Sequence, residues 1–408
     1  MKIVIALDKF KGSLTAPAAC EIVRRTIGEV QPGVQIIVKP MADGGDGTAE
    51  ALHAALGGEW MTQQVTGPLP ALPVKARYLW LAQERRAFIE MAQASGLVLL
   101  PPAQRNPLLT TTLGTGELLA DAIRRGADRI WLAIGGSATT DGGVGAAMAL
   151  GWRFLDAASQ PVQPVGGELE RIVTLCAPLA FGSDRRSALP GAMARGIRVG
   201  RARTGAPTVA RPSRTLSGSM LPPIEVLCDV DNPLCGDRGA ACVFGPQKGA
   251  TPAMVQQLDA GLRHLAAVVK AQLGKDILDV PGAGAAGGLG GGALAFLNAR
   301  LVPGIETVMS ASRLAEDLAG ADWVVTGEGQ FDEQSLHGKV VAGVTALAQA
   351  HGVKVAVLAG RVKVAEADWR RAGISIAQAI APATLDTPRA IQQAPELLAA
   401  AVRKLELL

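Results

Sequence analysis

The stretch from Arg129 to Leu150 constrains the fold most. Arg129-Ile130-Trp131-Leu132-Ala133-Ile134 is an apolar run of strand length. It empties into Gly135-Gly136-Ser137-Ala138-Thr139-Thr140-Asp141-Gly142-Gly143, and Val144 to Leu150 reads as a helix. A buried strand, a glycine-rich loop and a helix form the repeating unit of a parallel α/β sheet. Such a loop lets the backbone approach an anion, and the helix N-terminus adds partial positive charge. An ordinary tight turn has the same signature, so the weight falls on whether other loops converge on the same place.

Other apolar strands end in comparable loops. Lys2–Leu7 exits at Asp8-Lys9-Phe10-Lys11-Gly12-Ser13. Val34–Val38 opens into Asp43-Gly44-Gly45-Asp46-Gly47-Thr48. Asp322–Thr326 exits at Gly327-Glu328-Gly329-Gln330-Phe331-Asp332, with Lys339 just before a helix. In an open parallel sheet, ligands sit at the carboxyl ends of the strands. If these strands share one sheet, Asp8, Lys9, Lys11, Asp43, Asp46, Asp141, Glu328, Asp332 and Lys339 gather at one rim. Asp43 and Asp46, three apart among glycines, are candidate Mg²⁺ ligands. Lysines, carboxylates and glycine loops are the ingredients of Mg-dependent phosphoryl transfer, which rests on charge neutralisation and positioning. No G-x-x-x-x-G-K-[ST] sequence occurs, which excludes the P-loop class.

Two segments depart from this pattern. From Trp60 to Leu97 the strands are short and separated by prolines, as in antiparallel material of a second domain. Gly282-Ala283-Gly284-Ala285-Ala286-Gly287 matches the dinucleotide fingerprint G-x-G-x-x-G. The preceding Asp276–Val280 is a poor first strand, so close packing or a phosphate-facing turn is the better reading.

The chain has 408 residues, of which 49% are apolar, enough for a large core and two or more domains. Aromatic residues make up 3%, which argues against a stacking surface for single-stranded nucleic acid. The net charge of +4 is local: residues 183–222 hold eight arginines, one aspartate and no lysine, so the rest of the chain carries −3. That segment reads as a mobile insertion. No run of membrane-spanning length and no signal-peptide core is present. The five cysteines are dispersed, as expected of free thiols in a reducing cytoplasm.

With these motifs together, the chain resembles a type-1 bacterial glycerate kinase from end to end. The matching runs include Asp8–Ser13, Ala42–Thr48, Phe88–Ala92, Ala94–Leu97, Gly114–Leu118, Ile134–Thr139, Cys228–Val230, Asn232–Leu234, Phe244–Ala250, Pro281–Gly288 and Thr326–Gly329. The resemblance implies a flavodoxin-like α/β domain (1–58, 105–150 and 285–408) interrupted by a second, mixed α/β domain (59–104 and 151–284), with the site in the cleft between them. It implies ATP-dependent phosphorylation of D-glycerate, to 2-phosphoglycerate, by a cytoplasmic monomer or homodimer acting on a small molecule and engaging neither nucleic acid nor membrane. On this reading Lys9 and Lys11 neutralise phosphate or the substrate carboxylate, and Asp43 and Asp46 hold Mg²⁺. Gly135, Gly136, Ser137, Thr139, Gly284, Gly287, Gly327 and Lys339 line the nucleotide site. Asp141 or Asp332 takes the hydroxyl proton, and Glu328 orders the site. The alternatives are a kinase for another small hydroxy acid and a catalytically impaired nucleotide-binding regulatory paralogue. Residues 176–224 replace a short stretch usual in the family.

Overall fold

The computed structural model describes residues 1–178, 221–336 and 339–405. The expected mobile insert at 183–222 lies almost wholly outside the described residues. Thirteen strands are described: β1 (Lys2–Leu7), β2 (Gln35–Val38), β3 (Glu59–Thr66), β4 (Pro73–Leu81), β5 (Arg86–Glu90), β6 (Arg129–Ala133), β7 (Arg153–Leu155), β8 (Thr174–Cys176), β9 (Ile224–Leu227), β10 (Arg300–Val302), β11 (Trp323–Phe331), β12 (Lys354–Val362) and β13 (Ile376–Ala379).

The first sheet runs β13-β12-β11-β1-β2 and is parallel throughout. Numbered by their order along the chain, its strands lie 2-1-3-4-5, the flavodoxin-like arrangement. The alternation of side chains explains the unbroken apolar sequence of β1. Ile3, Ile5 and Leu7 pack on one face with Val325 and Leu358. Val4 and Ala6 pack on the other with Val324, Val355 and Val357. A parallel sheet covered on both faces needs this composition.

The second sheet runs β10-β9-β6-β5-β4-β3. Strands β10, β9, β6 and β5 are parallel, and β4 and β3 continue antiparallel. The antiparallel material expected from Trp60 onward is therefore present.

One expectation is corrected. Residues 105–150 and 285–302 do not extend the flavodoxin-like sheet. Strand β6 pairs with β5 and β9, and β10 pairs with β9. The helices Leu113–Arg124 and Ala285–Phe296 bury Leu118, Leu119, Leu289 and Ala293 in the same cluster as Ile89, Leu132 and Val226. The chain therefore leaves the first sheet after the helix Thr48–Leu56 and returns to it with the helix Gly304–Ala311.

The two sheets share a core. Val4, Ala6 and Val324 of the first sheet join Leu79, Phe88, Trp131 and Leu227 of the second in one apolar cluster. Each such side chain contributes roughly 2 kcal/mol by burial, so the halves are not independent beads. The longest helix, Pro252–Leu273, begins at the Thr251 cap and ends at Gly274, as its sequence dictates. Among the described residues, no helix is long and apolar enough to cross a membrane.

Candidate active site

The loop after β2 lies where the carboxyl ends of both sheets meet. A Cβ on Gly44 would stand 2.9 Å from Gly304 Cα, which follows β10, and 3.0 Å from Leu227 Cβ at the end of β9. Gly135, just past β6, packs its α-carbon side on Gly45 Cα. The Ala49 N–H donates to Glu90 Oε1, at the end of β5, at 2.9 Å. The Asp43–Gly47 loop thus touches the exits of β6, β9 and β10, and the helix that follows it touches the exit of β5. The predicted convergence of glycine loops is real, but it joins two sheets rather than one rim.

On the first-sheet side, β1 and β11 flank the point where the strand order reverses, the position at which open α/β sheets bind ligands. Asp8 sits there. Its N–H donates to Gly327 O at 2.9 Å, and its Oδ1 accepts the Lys9 N–H at 2.6 Å. Burial, with the charge of Asp43 beside it, pushes the Asp8 carboxyl up to about 7. Burial also raises Glu328, whose Oε1 has no hydrogen-bond partner among the described residues. Asp43 raises Asp8, Glu328 and Asp229 alike by charge, second to burial at Asp8 and as a smaller contribution at the other two. The Asp229 Oδ1 accepts the Gly304 N–H at 2.7 Å.

The lysines and remaining acids of this side take distinct positions. The Lys9 ammonium donates to the Asp46 carbonyl, and Lys11 is exposed on the turn beyond it. Asp46 is exposed, while Asp43 Oδ1 accepts its own loop's Gly45 N–H at 3.1 Å. Asp332 is held below the usual carboxylate range first by the Gln330 amide, which donates to its Oδ2 at 2.7 Å. Lys339 lies near enough to lower both Glu328 and Asp332. Gly327 lets β11 pass β12: a Cβ there would meet Leu358 O at 1.8 Å.

Asp141 is not at this cleft. It is fully buried, and its Oδ2 accepts the Thr112 N–H and hydroxyl, both at 2.8 Å, and the Gly145 N–H at 3.2 Å. Its Oδ1 takes the Gly143 N–H at 3.2 Å. With its lone pairs occupied, Asp141 ties the start of the Leu113–Arg124 helix to the start of the Val144–Ala149 helix. This is the hydrogen-bonding pattern of a brace.

The fingerprint glycines likewise serve packing. A Cβ on Gly284 would lie 2.1 Å from Pro233 O, and one on Gly287 would lie 1.9 Å from Thr139 O. Gly287 has φ +68°, and its carbonyl accepts the Gly142 N–H at 3.1 Å. Both glycines are buried against backbone, so neither lines an open nucleotide site. Gly284 seats the start of the Ala285–Phe296 helix on the Asn232–Pro233 backbone, and Gly287 seats it on the 139–142 loop.

That loop is also held by Lys248, a residue the sequence reading passed over. Lys248 is 2% exposed. Its ammonium donates to Ser137 Oγ at 2.7 Å and to Thr139 O at 2.6 Å. Burial pushes it down to about 7. Glu90, also 2% exposed, is raised to about 7, chiefly by burial.

The arrangement is a mixed cleft: acids and a lysine from the first sheet face a rigid glycine loop from the second. Comparison with known proteins decides the family. The model of the glycerate kinase family matches residues 3–179 and 217–407. The chain belongs to the glycerate kinase family. The match leaves out 180–216, the centre of the arginine-rich insert. A glycerate kinase of Halalkalibacterium halodurans is 40% identical over 403 residues, covering 99% of this chain and 97% of the relative. The glycerate 2-kinase of Escherichia coli K12 is 42% identical, covering 88% of this chain and 85% of its own. A crystal structure assigned to glycerate kinase 2 of Salmonella typhimurium LT2 superposes with a TM-score of 0.78 at 38% identity, over 99% of this chain and 96% of that one. This glycerate kinase family member is therefore a kinase, a transferase of phosphoryl groups.

Proposed function

We propose that the protein transfers the γ-phosphoryl group of ATP to D-glycerate and releases 2-phosphoglycerate. The observation that carries this reading is the wedge of Asp43–Gly47 between the carboxyl ends of both sheets, with Asp8 and Glu328 at the switch point beside it. The product assignment rests on the likeness to the Escherichia coli glycerate 2-kinase.

The donor set fits Mg²⁺. Among the described residues no three acid, His or Cys groups are close enough to enclose a metal by themselves. Mg²⁺ binds through one or two carboxylates and completes its shell with water and phosphate oxygens. Asp43, with Asp46 on the same loop, would hold it, and when bound it neutralises charge on the triphosphate. Lys9 and Lys11 add positive charge at the exit of β1. The Gly135–Thr139 loop cradles phosphate, and Lys339 and Glu328 order the far wall.

In the transfer, the substrate hydroxyl oxygen bonds to the γ-phosphorus, the bond to the ADP oxygen breaks, and the hydroxyl proton goes to a carboxylate. Asp8 suits that role better than Asp141 or Asp332. A base poised near neutrality combines the right protonation state with a useful proton affinity. Asp141 is saturated with donors, and Asp332 is held too acidic. The test is ADP release with glycerate, tartronate and lactate as acceptors. Turnover with glycerate far above the other two supports the reading. Preference for another hydroxy acid replaces the substrate, and nucleotide binding without turnover replaces the kinase by a regulatory role.

A further inference from the structure

We propose that Lys248 is a positioning residue that fixes the Gly135–Thr139 loop for the phosphoryl donor. The inference rests on the reading of that loop as the phosphate cradle.

The turn Pro246–Lys248 is exposed at Pro246, Gln247 and Gly249, and only the lysine turns inward. Gly249 anchors the turn: with φ +91°, its Cβ position lies 2.4 Å from Arg105 O. The ammonium then reaches Ser137 Oγ and Thr139 O, one residue on either side of Ala138. Ala138 is itself tied, its N–H donating to Ser95 O at 2.9 Å. In the same antiparallel bridge, centred on Gly96 and Ser137, the Leu97 N–H donates to Gly136 O at 2.8 Å. The loop is thus pinned at four consecutive residues, and its first glycine rests on Gly45. A continuous contact path runs from the Lys248 turn to the Asp43–Gly47 loop.

Burying an ammonium costs several kcal/mol, and a methionine would fill the same volume without that cost. What the lysine supplies instead is two directed donors at fixed spacing, one to a side chain and one to the main chain. A misplacement of about 1 Å in such a loop is enough to cost about a hundredfold in rate. Asp141, whose charge favours the Lys248 ammonium, forms no ion pair with it and is occupied by its own donors, so Lys248 acts on the loop rather than as its counter-ion.

The test compares wild type, K248M, S137A and the double variant in the full chain, with ATP, Mg²⁺ and D-glycerate, alongside unfolding midpoints. The expected result is a rise of about tenfold or more in KM for ATP in K248M, with KM for D-glycerate changed less than about threefold. Because one of the two Lys248 bonds ends on Ser137, the K248M effect shrinks in the S137A background to the part carried by the Thr139 bond. Equal changes in both KM values, or effects that multiply independently, overturn the proposal and leave Lys248 a packing residue. Should K248M fail to fold, K248Q, which keeps an amide donor in place of the ammonium, decides by whether KM for ATP rises selectively. A wild type that turns over no D-glycerate with ATP removes the functional reading, and this proposal with it. A wild type that does so without the selective ATP effect removes the proposal alone.

Discussion

The main-chain N–H of Ala49 donates to the Glu90 carboxylate at 2.9 Å and links the halves built on different sheets. Ala49 lies in the first turn of the helix that follows β2, and Glu90 ends β5. This bond fixes the acidic loop of one half against the strand exits of the other. It is joined at this junction by the Asp229–Gly304 bond, glycine contacts and shared apolar core.

The pH dependence of stability reads this bond. Burial raises the Glu90 carboxyl from the ordinary range to about 7. Between that range and pH 7 the folded protein keeps a proton that the unfolded chain has released. Stability therefore falls as pH rises through this window, by on the order of 3 kcal/mol, and the Glu90 contribution is flat above it. E90Q keeps an acceptor for Ala49 without the charge. Denaturant unfolding from pH 5 to 8 should show E90Q gaining on wild type as pH rises, and parallel curves would refute the assignment.

Asp141 should behave as a brace. D141N keeps one oxygen but turns an amide toward backbone donors, and the expected loss is about 2–3 kcal/mol of stability. Turnover per folded molecule should fall less than about tenfold. A collapse of kcat with unchanged unfolding would return Asp141 to the chemistry.

Two glycines separate strain from crowding. Gly274 and Gly287 share φ +68°, but a Cβ meets nothing within 4 Å at Gly274 and Thr139 O at 1.9 Å at Gly287. G274A should cost about 1 kcal/mol, the price of the left-handed conformation. G287A should cost several times more, because the Ala285–Phe296 helix must lift off the 139–142 loop. Similar losses in thermal unfolding would contradict the packing role.

Asp43 carries the opposite signature. It is half-buried, and it bonds only its own loop among the described residues. D43N should lower turnover by about a hundredfold or more while moving the unfolding midpoint by less than about 2 °C. Equal losses in both would remove the metal-ligand role.

Much of this was legible in the sequence. Val4 and Ile5 lie in an apolar run that any parallel sheet would bury, and Gly44 and Gly135 stand in the loops past strand ends, whereas Glu328, expected past a strand end, lies within β11. The sheet to which β6 belongs was not legible, because Ile130–Ala133 has the same apolar run that either sheet would bury. Asp141 reads as a rim acid because two of its four donors come from Thr112, 29 residues away. Lys248 was hidden for a similar reason. A lysine between glutamine and glycine in a proline turn is ordinarily solvated, and its partners lie 109 and 111 residues earlier. Gly284 and Gly287 satisfied a sequence pattern that only the neighbouring backbone could interpret.

The central claim is phosphoryl transfer to glycerate at the meeting of the two sheets. The most direct measurement is phosphorus NMR of the product formed by the full chain from ATP, Mg²⁺ and D-glycerate, with D43N beside it. The account predicts 2-phosphoglycerate from the wild type and almost none from D43N. Formation of 3-phosphoglycerate would contradict the product assignment, and equal product from both would contradict the site.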